Sequence, residues 1–169
     1  MEKKIQIQGK RNRDALAGRP TRRAVVPPTL DFSSLDEGKQ VTFMNRLLLG
    51  DNFDLKEQFE KEISRKISGY KAQDRQNEIY DSSHFVPKDN VIELLVCSRL
   101  KCFYCSRFCP VLFEKPNEPS QWTLDRIDNE QGHNTGNVKI SCLECNVKRG
   151  TTGMQKFKEG RFIRIRKEK

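Results

Sequence analysis

The residues best suited to chemistry are concentrated in the second half of the chain. Four cysteines form two pairs, Cys102-x-x-Cys105 and Cys142-x-x-Cys145, which are separated by 36 residues. Between the pairs lie the segments TLDRIDN and GHNTGN, and Asn146 directly follows the last cysteine. Thiolates at a two-residue spacing are typical of zinc sites, whereas carboxylate and amide oxygens suit a hard divalent cation. The sequence therefore places two kinds of potential metal ligand close together.

The two cysteine pairs predict a structural zinc site formed by Cys102, Cys105, Cys142 and Cys145. Four thiolates complete the tetrahedral coordination of Zn²⁺ and leave no position for water. A redox-active pair would occur singly, near a βαβ pattern that this sequence lacks. Disulfides would not persist in a reducing cell, and no secretory signal is visible. Cys109 could replace Cys105 as a ligand, although the spacing Cys102-x6-Cys109 is less typical of a zinc site.

The residues between and after the cysteine pairs predict the order strand, loop, strand, helix. QWTLD is typical of a strand that ends at Asp125, and NVKIS of a second strand. The intervening loop is rich in glycine and asparagine. CLECNVKRG predicts a helix of about two turns, which Ser141 would cap and Gly150 would end. This order places Asp125 at a strand end and Asn146 on a facing helix.

The stretch TLDRIDNEQGHNTGNVKISCLECNVKRG resembles the motif of His-Asn-His (HNH) endonucleases, with their ββα-metal fold and zinc knuckles. The resemblance covers about residues 91–150 and is closest to versions from large DNA viruses and phages. It implies that Asp125 and Asn146 hold a catalytic Mg²⁺ or Mn²⁺ and that Asn137 ties the loop to its own backbone. The implied function is a metal-dependent endonuclease that hydrolyses DNA phosphodiester bonds.

Arg126 departs from the family pattern, which usually has a histidine at this position as general base. Arginine stays protonated in proteins and cannot accept a proton from water. His133 could act as the base from the loop, or the water held by the cation could lose its proton unassisted or to Asp128. Alternatively, the site has lost the ability to hydrolyse its substrate, and Arg126 binds a phosphate. The chain would then be a zinc protein that binds nucleic acid as a packaging, transcription or architectural module.

The charge distribution predicts a polyanionic partner, and DNA in particular. Residues 1–27 carry eight basic and two acidic side chains, residues 146–169 carry nine and two, and the remainder has a net charge of −4. Basic ends of this kind release counterions from nucleic acid phosphates. The helix of the motif supplies two expected phosphate contacts, Lys148 and Arg149, and the tail GRFIRIRK, which predicts a strand, supplies Arg164 and Arg166. Arg126, next to Asp125, is the fifth expected contact.

The first half of the chain predicts helices without assigned chemistry. Apolar residues recur every four positions between 54 and 80, and a shorter apolar stretch lies within 31–50. Residues 31–80 could also dock onto a partner protein. HFVPKDNVIELLVC predicts another helix, with Val91, Leu94, Leu95 and either Cys97 or Ser98 on its buried face, and Cys97 is interpreted as a core cysteine.

The sequence as a whole predicts an α+β protein with four regions. We expect a disordered basic arm at 1–30, a helical region at 31–86, an HNH-like domain stapled by four cysteines at 87–155, and a basic tail at 156–169. No apolar run reaches 18 residues, so a membrane span is not expected. The cysteine usage predicts an intracellular, reducing compartment, either the cytoplasm or the nucleus, including those of a virus-infected host cell.

Overall fold

Helices and one small antiparallel sheet build an α+β fold, as predicted. The computed structural model of the chain describes Phe32 and residues 35–160. This part of the chain contains α1 (Glu37–Leu48), α2 (Lys56–Gln76), α3 (Lys88–Cys97), β1 (Trp122–Arg126), β2 (Val138–Cys142), α4 (Leu143–Arg149) and α5 (Met154–Gly160). The predicted arm at 1–30 and the predicted phosphate contacts Arg164 and Arg166 lie outside the described residues.

Helices α1 and α2 occupy the region in which the sequence predicted helices. Helix α1 begins after Asp36, whose carboxylate accepts a hydrogen bond of 2.8 Å from the backbone N of Lys39. Helix α2 runs for 21 residues and continues through Gly69. Phe59 and Ile63, two members of the apolar repeat, are completely buried. The stripe therefore faces the core, as an amphipathic pattern requires.

Helix α3 buries Val91, Ile92 and Leu95, but Cys97 is exposed. The prediction that Cys97 belongs to the buried face was therefore wrong. The physical reason is the helical period: two residues beyond Leu95 correspond to a rotation of about 200°, which turns Cys97 away from the core.

Strands β1 and β2 pair in an antiparallel hairpin in which Leu124 is opposite Ile140 and Asp125 is opposite Lys139. Leu124 and Ile140 are buried in the core together with the fully buried Trp122. Because side chains alternate along a strand, this register turns Asp125 to the face opposite Leu124. The hairpin thus anchors one face in the core and presents the carboxylate on the other.

Helix α4 follows β2 without a loop and ends at Gly150, as predicted. Its cap is Cys142 and not Ser141, because the Sγ atom of Cys142 accepts a hydrogen bond from the backbone N of Cys145. Gly150 has φ +53°, a left-handed conformation that favours glycine after a helix. Helix α5, which the sequence did not predict, follows and places Phe157 edge-on to Tyr104.

Buried polar side chains connect the first two helices to the rest of the described chain. Gln40 of α1 accepts hydrogen bonds from the backbone N atoms of Val111 (2.8 Å) and Leu112 (3.1 Å) through Oε1. Lys66 of α2 donates to Gln121 Oε1 (2.8 Å) and to the carbonyl oxygen of Trp122, the first residue of β1. None of the described helices is long and apolar enough to cross a membrane.

Candidate functional site

The four predicted cysteines form one cluster. The Sγ atoms of Cys102, Cys105, Cys142 and Cys145 all lie within 4.8 Å of one another. Cys102 and Cys105 come from the turn after α3, Cys142 ends β2, and Cys145 lies in the first turn of α4. Four converging thiols are a donor set that could hold a metal ion such as zinc. The cluster therefore joins the turn after α3 to the hairpin and α4.

Cys109 lies outside this cluster of four. It is completely buried, and its Sγ atom donates to the carbonyl oxygen of Arg107 at 3.5 Å. Between the two ligand sets that the sequence left open, the cluster contains Cys105 and not Cys109.

A cavity of about 440 Å³ lies beside the hairpin. Its walls include the predicted site residues Asp125, Arg126, His133 and Asn146. Tyr70 and Gln73 of α2 also line it. The structure thus brings together residues from β1, the hairpin loop and α4, and it adds a helix from outside the motif.

Asp125 is buried, and both of its carboxylate oxygens accept hydrogen bonds from buried donors. Arg149 Nη1 donates to Oδ1 at 2.7 Å, and the Tyr104 hydroxyl donates to Oδ2. Burial raises the pKa of Asp125, while the hydrogen bond from Tyr104 and the charge of Arg149 act in the opposite direction. Burial and the neighbouring Asp125 carboxylate also raise the pKa of Tyr104, so its hydroxyl remains a donor.

Asn146 directs its amide nitrogen towards β1. Nδ2 donates to Thr123 Oγ1 (3.1 Å) and to the carbonyl oxygen of Leu124 (3.3 Å). This orientation leaves Oδ1 without a hydrogen bond from any described residue, and the side chain lines the cavity. Each oxygen of the Asp125 carboxylate keeps a second lone pair. Asp125 and Asn146 therefore offer oxygen ligands of the kind that Mg²⁺ or Mn²⁺ accepts, together with waters.

Asn137 and Asp128 organise the hairpin loop. Asn137 is buried, accepts a hydrogen bond from the backbone N of Asp128, and donates to the carbonyl oxygens of Asp128 and Gly132. Asp128 is exposed, and its carboxylate accepts from the backbone N of Glu130 and from Gln131 Nε2. The two side chains hold the turn, and Asp128 does not line the cavity.

Arg126 lies at the end of β1 and lines the cavity. Its Nη1 atom donates to the carbonyl oxygens of Asn129 and Gln131, both at 3.3 Å. These long contacts use one of the two terminal nitrogens and leave the guanidinium with further donors. The position of Arg126 is compatible with a contact to an anion in the cavity.

His133 is 3% exposed and forms a buried pair with Asp74 of α2. The Nδ1 atom of His133 lies 2.7 Å from Asp74 Oδ1, and its backbone N donates to Asp74 Oδ2 at 2.7 Å. Tyr70 packs against the imidazole with ring centroids 4.5 Å apart. Burial lowers the pKa of His133, although Asp74 opposes this shift. A neutral imidazole at neutral pH follows from this environment.

Sequence reasoning missed three residues around this site: Asp74, Tyr70 and Tyr104. Tyr70 and Asp74 lie on α2, outside the HNH-like stretch, and Tyr104 lies between Cys102 and Cys105. Each acts through a contact made only in the folded chain. One local signal points to Asp74. It is an acidic side chain one helical turn after Tyr70, on the same face of α2.

Two residues predicted to contact phosphate have different surroundings. Lys148 is exposed, and its Nζ atom pairs with Glu144 Oε1 at 2.5 Å. Arg149 was expected to project from the surface, but it is buried. Its guanidinium donates to Asp125 and to the carbonyl oxygens of Arg126 and Ile127. Because these acceptors enclose it, Arg149 cannot contact a phosphate without leaving Asp125, and the prediction for this residue needs correction.

Comparison of the chain with protein-family models, with curated proteins and with solved structures gives no match.

Proposed function

We propose that this chain is a metal-dependent endonuclease of the HNH type, which hydrolyses phosphodiester bonds in DNA. The observation that supports the proposal is the convergence of Asp125, Arg126, His133 and Asn146 on one cavity. Asp125 and Asn146 are the residues that would hold a divalent cation. When bound, the cation would stabilise the negative charge that develops on the phosphate during hydrolysis.

The neighbouring side chains have distinct tasks in this proposal. His133, neutral and lining the cavity, accepts the proton of the attacking water. Arg126 donates to a phosphate oxygen and orients the backbone of the nucleic acid. Zn²⁺ at the four-cysteine cluster has a structural task, because Cys142 and Cys145 flank the start of the helix that carries Asn146.

The test of hydrolysis is cleavage of plasmid and branched DNA in the presence of Mg²⁺ or Mn²⁺. Wild-type protein should nick or cut one of these substrates, and Asn146→Ala should lose the activity while keeping its thermal transition. Asp125→Ala should also be inactive, but it leaves Arg149 unpaired, so its folding must be checked by circular dichroism. Asp54→Ala, an exposed change before α2, serves as the matched control. Wild type that is as inert as Asn146→Ala with every divalent cation would refute the proposal.

A second candidate function is nucleic acid binding without hydrolysis. The observation in its favour is Arg126, which occupies the strand end where a base is expected and which cannot accept a proton. In this case Arg126→Ala should weaken DNA binding and reduce its salt dependence, because one phosphate contact is lost. Asp125→Asn should leave the affinity unchanged. Filter or anisotropy measurements at several salt concentrations distinguish this candidate from the nuclease, in which Asp125→Asn abolishes cleavage.

A further inference from the structure

Helix α2 lies outside the stretch that resembles the HNH motif, yet it contributes directly to the cavity. Tyr70 and Gln73 line the cavity wall, and Asp74, one helical turn beyond Tyr70, is completely buried behind His133. An acidic side chain is almost never fully buried unless it is paired. Among the described residues, His133 supplies this pairing, since both oxygens of Asp74 accept hydrogen bonds from it.

We propose that Asp74 is a positioning residue that fixes the proton of His133 on Nδ1 and leaves the lone pair of Nε2 directed at the cavity. A carboxylate can only accept hydrogen bonds, so the 2.7 Å contact requires the proton to reside on Nδ1. No described residue forms a hydrogen bond with Nε2. The catalytic consequence rests on the proposed function: only this tautomer can take a proton from water in the cavity.

Three further contacts keep the ring in this orientation. Tyr70 covers one face of the imidazole, and the backbone carbonyl of His133 accepts a hydrogen bond of 2.9 Å from Val86 N. Gly132 allows the loop to approach α2, because a Cβ atom there would lie 2.8 Å from Asp74 Oδ2. The charged groups near His133 are Asp74 on α2 and Asp125 and Arg126 on β1. The orientation of the ring is therefore set by Tyr70, by the loop backbone and by the close approach at Gly132.

The chain contains a natural control for this arrangement. It has two histidines, and the other one, His84, also places Nδ1 at 2.7 Å from a carboxylate, that of Asp81. The His84 side chain is 71% exposed and does not line the cavity. The two histidine–aspartate pairs thus share one contact but differ in burial and location.

The first measurement is the ¹⁵N NMR spectrum of histidine-labelled protein, which distinguishes Nδ1–H from Nε2–H in each ring. Wild-type His133 should be neutral with its proton on Nδ1. In Asp74→Asn an NH₂ donor replaces one of the two carboxylate oxygens that accept from the backbone N and from Nδ1. Because the backbone N–H can only donate, the amide oxygen should face it and the NH₂ group should face Nδ1, so the proton of His133 should move to Nε2. Asp81→Asn should change only the signals of His84. A wild-type His133 with its proton on Nε2, or an unchanged tautomer in Asp74→Asn, would overturn the inference.

The second measurement separates positioning from a general effect on folding. Asp74→Asn should lower the rate of DNA cleavage by about 10²–10⁴-fold, the usual contribution of a general base. Added to His133→Ala, it should lower the rate no further, because it acts through that ring. If Asp74→Asn lowers the cleavage rate by the same factor in wild type and in His133→Ala, Asp74 has a merely structural role and the inference is rejected. Asp81→Asn should cleave at the wild-type rate.

The two proposals can fail separately. If wild type cleaves no DNA but its His133 tautomer follows residue 74 as described, hydrolysis is refuted and the control of the ring by Asp74 is supported. If wild type cleaves DNA and His133 carries its proton on Nε2, the nuclease proposal stands and the role of Asp74 is refuted. Should Asp74→Asn fail to fold, the wild-type spectrum alone decides the position of the proton.

Discussion

Asp125 and Arg149 form a buried ion pair, with Oδ1 and Nη1 2.7 Å apart and both side chains at most 5% exposed. The pair connects the end of β1 to the last turn of α4. It therefore holds the strand that carries one proposed cation ligand against the helix that carries the other, Asn146. The same pair explains why a residue expected at the nucleic acid interface is enclosed by the protein.

Arg149→Ala should strongly destabilise the protein, because it leaves the buried carboxylate of Asp125 without its counter-charge. Removal of one partner of a buried pair lowers the free energy of unfolding by about 3–5 kcal/mol. The neighbouring Lys148→Ala breaks only an exposed pair with Glu144 and should change it by less than about 1 kcal/mol. Urea denaturation of both variants measures the difference. Equal effects would contradict the assignment of Arg149 to the interior.

The cysteine cluster predicts about one zinc per chain by metal analysis. Structural zinc sites supply about 10–16 kcal/mol in small domains, so Cys102→Ser or a strong chelator should unfold residues 95–150 and not merely loosen them. Cys97→Ser should keep the metal, since Cys97 is exposed and outside the cluster. Cys109→Ser should also keep it. Metal-free protein that retains its thermal transition would rule out this site.

Two glycine-to-alanine substitutions should change the free energy of unfolding in opposite directions. A Cβ at Gly132 would lie 2.7 Å from the carbonyl oxygen of Ile79, just after α2, and 2.8 Å from Asp74 Oδ2 on α2, so Gly132→Ala forces the loop away from both. We expect a loss of about 1–3 kcal/mol in the free energy of unfolding, as for other overpacked sites. Gly69 lies within α2 with no atom near its Cβ position. Gly69→Ala should therefore stabilise the protein by about 0.5–1 kcal/mol. Thermal or urea denaturation checks both signs.

Lys66 predicts a pH-dependent contribution to stability. Burial lowers the pKa of this side chain from 10.5 to about 7. Between these two values the unfolded chain binds the proton and the folded chain does not, so stability rises with pH in this window. Relative to Lys66→Met, the wild-type free energy of unfolding should rise between pH 7 and 9.5 by up to about 1.4 kcal/mol per pH unit.

The exposed Lys61, which pairs with Glu57, provides the control for this pH effect. Lys61→Met should show the pH dependence of the wild type, because titrations common to both proteins cancel in the comparison. A constant difference between wild type and Lys66→Met from pH 7 to 9.5 would show that Lys66 keeps its ordinary pKa in the folded protein.

Patterns in the sequence predicted the elements that local chemistry determines. The apolar repeat predicted the core face of α2, alternation and turn residues predicted the hairpin, and Gly150 predicted the end of α4. The two C-x-x-C pairs predicted the cluster because two-residue spacing lets both sulfurs face one ion. In each case the signal is a short local pattern, and for the cluster it is the same pattern occurring twice.

The remaining features depend on partners that are distant in the sequence. Asp74 contacts His133 across 59 positions, and no period or spacing relates the two. Arg149 resembles any basic residue at the end of a helix, where exposure is the usual outcome. Only the position of β1 shows that it is enclosed. The predicted boundary between residues 86 and 87 separates Asp74 from His133, although the two residues are hydrogen-bonded.

The contact between Gln40 and the 111–112 backbone, 71 and 72 positions away, has a consequence for biosynthesis. During translation α1 and α2 leave the ribosome long before the segments that form hydrogen bonds with their buried polar side chains. Until those segments emerge, Gln40, Lys66 and Asp74 remain hydrated on a nascent chain. The last wall of the cavity closes only when residues up to Thr151 have been synthesised, so a prematurely terminated polypeptide would carry the helices without an assembled centre.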